Sequence, residues 1–286
     1  MNKEKIAILA DSGSDVPQDF VAENQIFTLP LKVIYPEGEY VDKLEISTDQ
    51  VIQRMPGEIP TTSLPDGQAI IRVFDEIKAA GYEKVIAVTI SSGLSGTCNM
   101  VRLMAEEYPS LEIFVLDTKN IGIASGLQAI RAVELVNAGL PYGEICDQLT
   151  NEVPRNKVFF SVATLEYLQK GGRIGLVTAI LGTALKLNPI ISCNDEGVYY
   201  TVAKSRGCAK SLAKTMELVK QTVGSHQKYR LAVAHAGAED EARAILHQLE
   251  KILPHTVEPI LFGEISPALV VHTGPELIGI GVQVLD

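Results

Sequence analysis

The chain has 286 residues, 46% of them hydrophobic, and a formal net charge of -10. That length suits one large domain or two medium ones with real cores, and the acidic balance disfavours nucleic acid as a main partner, since no Lys/Arg cluster is long enough to reverse it. The longest apolar candidate, "IGLVTAILGTALKL", carries glycines and a lysine, and few apolar residues precede Asp11, so neither a transmembrane segment nor a signal peptide is expected.

"KIAILAD" reads as a strand ending at Asp11. "KVIAVTI" (84–90) and "EIFVLD" (112–117) are continuous apolar runs rich in β-branched residues, as in strands covered on both faces. Between them Cys98, Val101, Met104 and Ala105 recur at helical spacing. "GLQAIRAVELVNAGL" reads as a helix that stops near Gly139. This β-α-β-α order predicts a parallel sheet flanked by helices. A second set begins near Asn156. "KVFFSV" is a strand, and "ATLEYLQKGGRIGLVTAILGTAL" reads as two helical pieces broken at Gly171-Gly172. "IISC" and "VYYTV" flank Asn194-Asp195-Glu196-Gly197, a hairpin signal. A Lys-studded helix spans about 209–223, and "YRLAVAHA" is the next strand. Ala242, Ile245, Leu246, Leu249, Ile252 and Leu253 form an amphipathic face. "VEPILFGEI" and "LIGIGVQVL" close the chain as strands. The expected class is α/β: an N-terminal lobe over 1–155 with a mainly parallel sheet, and a C-terminal lobe over 156–286 with a mixed sheet. A ligand is expected in the cleft between such lobes.

Cys98, Cys146, Cys193 and Cys208 are scattered without a C-x-x-C, and the five histidines lie far apart. Neither a disulfide framework nor a metal site is suggested, and reduced thiols fit a cytoplasmic setting.

Chemistry concentrates in loops: "ADSGSD" after the first strand, "PTTSLPDG" (60–67), and "SSGLSGT" (91–97) after the strand ending at Ile90. Loops after parallel strands gather at the carboxyl edge, where ligands bind. Ser95, Gly96 and Thr97 stand at a helix start, whose free N–H groups favour a negative group; a plain helix cap is the competing reading. A nucleophile elbow fits poorly, because Ser95 sits in G-x-S-G and the best base, His272, or second best, His235, is equally a structural histidine. A phosphate cradle also fits poorly, without G-x-x-x-x-G-K-[ST] or G-x-G-x-x-G. Asp11, Asp15, Asp42 and Asp117 oppose a polyanion and read as turn or cap residues. That leaves a modest anion such as a carboxylate, held by neutral donors, with a buried alkyl chain supplying affinity. Gly175, Ala179, Gly182 and Ala184 are candidates for leaving space for such a chain.

"DSGSD", "TTSLP", "SSGLSGT", "LEYLQKGGRIG" and "HTGP" before a glycine-rich last strand occur in an order that resembles the DegV family, a bacterial fatty-acid-binding group. The resemblance covers nearly the whole chain. It implies two α/β domains with a long-chain fatty acid buried between them or within the C-terminal lobe. It places the carboxylate on Thr62 and Ser95, with Ser63 and Gly96 adjacent, and His272 near the same end. Arg173 is implied to lie near the carboxylate end or on the partner surface, serving a partner or a phosphoryl-transfer step. The resemblance further implies a non-catalytic carrier without cofactor. A separate ATP-binding fatty acid kinase subunit would phosphorylate the bound acid for phospholipid synthesis, with no more than transient membrane contact. A serine hydrolase acting on lipid esters and a lipid sensor are the alternatives. Asp66 departs from the family pattern, which usually has Ser there, and an acid beside a fatty carboxylate would repel it.

Overall fold

Strands form where aliphatic and β-branched residues run together, and helices where apolar residues recur every three to four positions. The computed structural model describes residues 2–55, 57–180 and 187–286. The first half runs β1 (Ile6–Asp11), α1 (Gln18–Glu23), β2 (Phe27–Leu29), β3 (Lys32–Tyr35), β4 (Gly38–Val41), α2 (Thr48–Arg54), β5 (Thr61–Ser63), α3 (Gly67–Ala79), β6 (Lys84–Thr89), α4 (Thr97–Glu106), β7 (Glu112–Asp117), α5 (Ile123–Asn137) and α6 (Tyr142–Glu152). The second runs β8 (Asn156–Ser161), α7 (Glu166–Lys170), β9 (Leu187–Cys193), β10 (Tyr199–Arg206), α8 (Cys208–Val223), β11 (Tyr229–His235), α9 (Glu239–Ile252), β12 (Leu261–Glu264), α10 (Pro267–Thr273) and β13 (Ile278–Val284).

Among the described residues the strands make three sheets. The first, β2-β1-β6-β7, is wholly parallel. The second, β10-β9-β8-β13-β11-β12, is antiparallel except for the β11–β12 pair. A small antiparallel sheet, β4-β3-β5, carries Thr62 opposite Val33. The sequence reading left the Thr62 region irregular. Its strands have only three or four residues, too short to show a period.

Helix α5 ties the two large sheets together. It packs on β1 and β6 of the first and on β8, β11 and β13 of the second. A helix buried on opposite sides is apolar nearly all round. Ala124, Leu127, Ala129, Ile130 and Ala132 are all at most 1% exposed. The piece after Gly171-Gly172 begins as a 3-10 turn over Gly175–Ile180. Gly182 and Ala184 lie outside the described residues, and of Ala179 only the backbone is described. Gly175 sits against β10: a Cβ there would meet the Tyr199 carbonyl oxygen at 2.7 Å. All four cysteines are free thiols. Among the described residues no helix is long and apolar enough to cross a membrane.

Candidate functional site

The loops after β6 and β7 meet β5, the turn after α7 and helix α10 around a cavity of about 190 Å³. Thr62, Ser63, Ser95, Gly96, Arg173 and His272 all line it. Residues spread over 211 positions of the chain (62 to 272) are thereby brought to one place.

The central contact joins Thr62 Oγ1 and His272 Nε2 at 2.7 Å. Burial, and then the nearby Arg173 charge, push the His272 pKa down to about 4. The imidazole is therefore neutral at pH 7, with a single N–H. If that proton is on Nε2 it donates to Thr62, and the Thr62 hydroxyl keeps its own proton for an anion. Nδ1 is buried without a hydrogen-bond partner. Among the described residues no acidic group orients this ring, so they hold no base–orienter pair of a hydrolase around it. His235, the other base candidate, is buried at the end of β11 against Phe262 and does not line the cavity.

Ser95 lies just before α4. Its Oγ is 2.8 Å from Thr97 Oγ1 and accepts from the Thr97 N–H at 3.2 Å. It thus both caps the helix start and faces the cavity. Arg173 spans the cleft, donating from Nε to the Leu94 carbonyl at 3.3 Å and from Nη1 to the Gly171 carbonyl at 2.7 Å. The site consequently combines neutral donors with one guanidinium; the residues alone suggested only neutral donors, and the resemblance put Arg173 near the carboxylate end or on the partner surface. Asp66 is no threat to an anion here. It caps α3, accepting from the Ala69 N–H at 2.8 Å, and does not line the cavity.

The "DSGSD" loop does a different job. Asp11 Oδ2 accepts from Ile90 N at 2.7 Å, tying the ends of β1 and β6. Asp15 Oδ1 accepts from Ser266 N at 2.8 Å and pairs with Lys43 at 3.0 Å. Asp42 accepts from Ser12 Oγ at 2.5 Å and from Ala268 N at 2.9 Å. Two carboxylates thus hold the first N–H groups of α10, the helix that carries His272. Burial raises the Asp11 pKa to about 7 and that of Asp15 to about 6. Asp117 is a turn residue, accepting from Ser92 N and Lys119 N at 3.1 Å each. Among the described residues no group of three or more His, Cys, Asp or Glu is placed to hold a metal ion.

The polar cavity adjoins apolar space. Ile121, Tyr199 and Leu269 also line a narrow apolar seam of about 30 Å³, walled by Val158, Phe160 and Leu277. Ile123, Ala234 and Ile265 belong both to this seam and to an outer crevice of about 430 Å³. Tyr199, Leu269 and Ile121 were not singled out from sequence. The signal for Ile121 was available: it follows β7, a third parallel strand whose loop reaches the same edge.

A family model described as "Uncharacterised protein, DegV family" matches residues 5–284. A DegV domain-containing protein of Clostridium acetobutylicum is 38% identical over 277 residues, 97% of this chain and 98% of that protein. Among solved structures, a fatty-acid-binding DegV family protein from Thermus thermophilus superposes with a TM-score of 0.91 at 31% identity, covering 100% of both chains. A stearic-acid-binding protein from Eubacterium ventriosum gives 0.90 at 27% identity, covering 98% of each.

Proposed function

As the chain belongs to the DegV family, we propose that it binds a long-chain fatty acid, with the carboxylate in the Thr62–Ser95–His272 cavity and the acyl chain between the apolar walls of the seam, whose space of about 30 Å³ widens as the chain enters. The observation that carries this reading is the Thr62–His272 pair at 2.7 Å in a cavity that opens onto apolar walls. A neutral imidazole can hold the threonine so that its proton faces the anion. Arg173 offsets part of the negative charge across the cleft. The solved relatives described as fatty-acid binding support the same ligand class.

The head group alone binds weakly: each hydrogen bond to a charged group contributes roughly 1.5–3 kcal/mol. A chain of about sixteen carbons adds on the order of 10 kcal/mol gross at ~0.8 per CH₂, less its ordering cost. The protein is then a carrier and not an enzyme by itself. We further propose that it presents the carboxylate to a separate ATP-dependent kinase subunit, with Arg173 facing the transferred phosphoryl group. Phosphoryl transfer adds charge to the bound carboxylate, and a guanidinium can meet it bidentately.

Native mass spectrometry tests the first part. A long-chain acid should co-purify with wild type, and Thr62→Val should lower its affinity about tenfold. Wild type that never carries or takes up a fatty acid, or that turns over esters, defeats the reading. For the second part, Arg173→Ala should retain lipid yet lose acyl phosphate formation when ATP and the kinase subunit are added.

A further inference from the structure

The three spaces adjoin through shared walls. The cavity shares Ile121, Tyr199 and Leu269 with the seam, and the seam shares Ile123, Ala234 and Ile265 with the outer crevice. Helix α10 borders all three, with His272 and Leu269 at the cavity and Pro267 at the crevice. One polar atom stands at the inner junction. Asp15 lines the crevice, its side chain is 1% exposed, and its Oδ2 has no hydrogen-bond partner. That oxygen lies 3.3 Å from where a Cβ on Gly122, a seam residue, would sit. Its sister Oδ1 is already used by Lys43 and Ser266 N.

Building on the carboxylate-end reading above, we propose that the acyl path runs past the seam along α10 into the outer crevice, and that Asp15 Oδ2 makes it a site for fatty acids carrying a hydroxyl near mid-chain. A plain methylene chain lying there would leave a buried carboxylate oxygen unpaired, which is costly. A hydroxyl on the chain donates to it and satisfies it. The position follows from the helix. Ser266 N, held by Asp15, is six residues from His272, and six residues rise about 9 Å. An extended alkyl chain with bonds of about 1.5 Å advances about 1.3 Å per carbon, so the junction falls at about carbon 8 from the carboxyl.

Competition binding on delipidated protein tests this with stearate, 3-hydroxystearate and 8-hydroxystearate. Wild type should bind the 8-hydroxy acid about tenfold or more tighter than the other two, as expected of a hydrogen bond to a carboxylate. Asp15→Asn should cut that preference to about threefold or less. Because Asp15 also holds α10, a second variant is needed. Ala234→Leu narrows the junction, leaves every carboxylate in the sequence, and should bring stearate and 8-hydroxystearate to equal affinity. Wild type binding stearate but showing no preference, or the same preference for the 3-hydroxy acid, overturns this inference alone. A preference untouched in Ala234→Leu also overturns it. If none of the three acids binds, the carboxylate-end reading fails and this one with it.

Discussion

His272 occupies a socket that only glycine at 171 leaves open. A methyl built on Gly171 overlaps His272 Nδ1 and meets the Tyr167 carbonyl oxygen at 3.0 Å. The unpartnered Nδ1 and the missing Cβ are two sides of one arrangement: the ring is positioned by packing and not by a hydrogen bond on its far side. Gly171→Ala should therefore push the imidazole off Thr62. The expected result is at least a tenfold loss of fatty-acid affinity for an overpacking cost of about 1–3 kcal/mol. Titration of a delipidated sample alongside its melting curve separates the two effects; unchanged affinity would mean that the ring is free to relocate. Sequence alone pointed to Ser95 and Gly96 through the helix-start chemistry of "SSGLSGT". The "PTTSLPDG" loop was read as hydroxyl-rich, but Thr62 itself and Arg173 were named only through the family resemblance, which also put His272 near the carboxylate end; the residues alone left His272 as one of two base candidates. No local pattern can say that a threonine and a histidine 210 positions apart will touch at 2.7 Å.

At the scale of elements, the long periodic segments were the readable ones. The runs at β1, β6, β8 and β11 and the stripe of α9 carry their own signal, because one face or both is buried over most of their length; β7, expected to be covered on both faces, is an edge strand in which only Leu116 is buried. The β3–β5 sheet and α10 carry little. Helix α10 has seven residues and owes its start to Asp15 and Asp42 from far away in sequence, as well as to its own Ser266 cap. Helix α5 was legible as a helix, but its closeness to the "DSGSD" loop was not. A Cβ on Gly126 would lie 2.5 Å from the Ser14 carbonyl oxygen and 3.3 Å from Val16 N. Two effects compete in Gly126→Ala: about 1 kcal/mol of better helix propensity against an overpacking cost of about 1–3 kcal/mol. Backbone on the other side of the contact cannot rotate away, so the cost should win. A net loss of about 1–2 kcal/mol is expected, a fall in Tm of a few degrees for a chain of this size. A variant that melts higher than wild type would show that the loop yields.

Over the whole molecule, the site region keeps ionisable groups that titrate in opposite senses. Asp11 and Asp15 keep their protons in the folded state to about pH 7 and about pH 6, against roughly 4 in an unfolded chain. Their contribution to stability is present at low pH and is lost as pH rises through those values. His272 works the other way. Burial first, and the Arg173 charge second, hold it near 4, against about 6.5 when unfolded. Below pH 6.5 the unfolded chain takes up a proton that the folded one refuses, so this contribution is lost as pH falls. From pH 5 to 8 the carboxylates lower stability while His272 partly compensates, by up to about 2 kcal/mol for its share. His272→Gln retains an amide to face Thr62 but removes that compensation. Wild type and variant should therefore both be less stable at pH 8 than at pH 5, the variant falling more steeply by about 2 kcal/mol. Denaturant melts of both proteins at the two pH values read this difference directly, since the carboxylates are common to both and cancel. Parallel slopes would mean that His272 takes up its proton as freely in the folded chain as in water. The neutral imidazole on which the carboxylate site depends would then exist only well above pH 6.5.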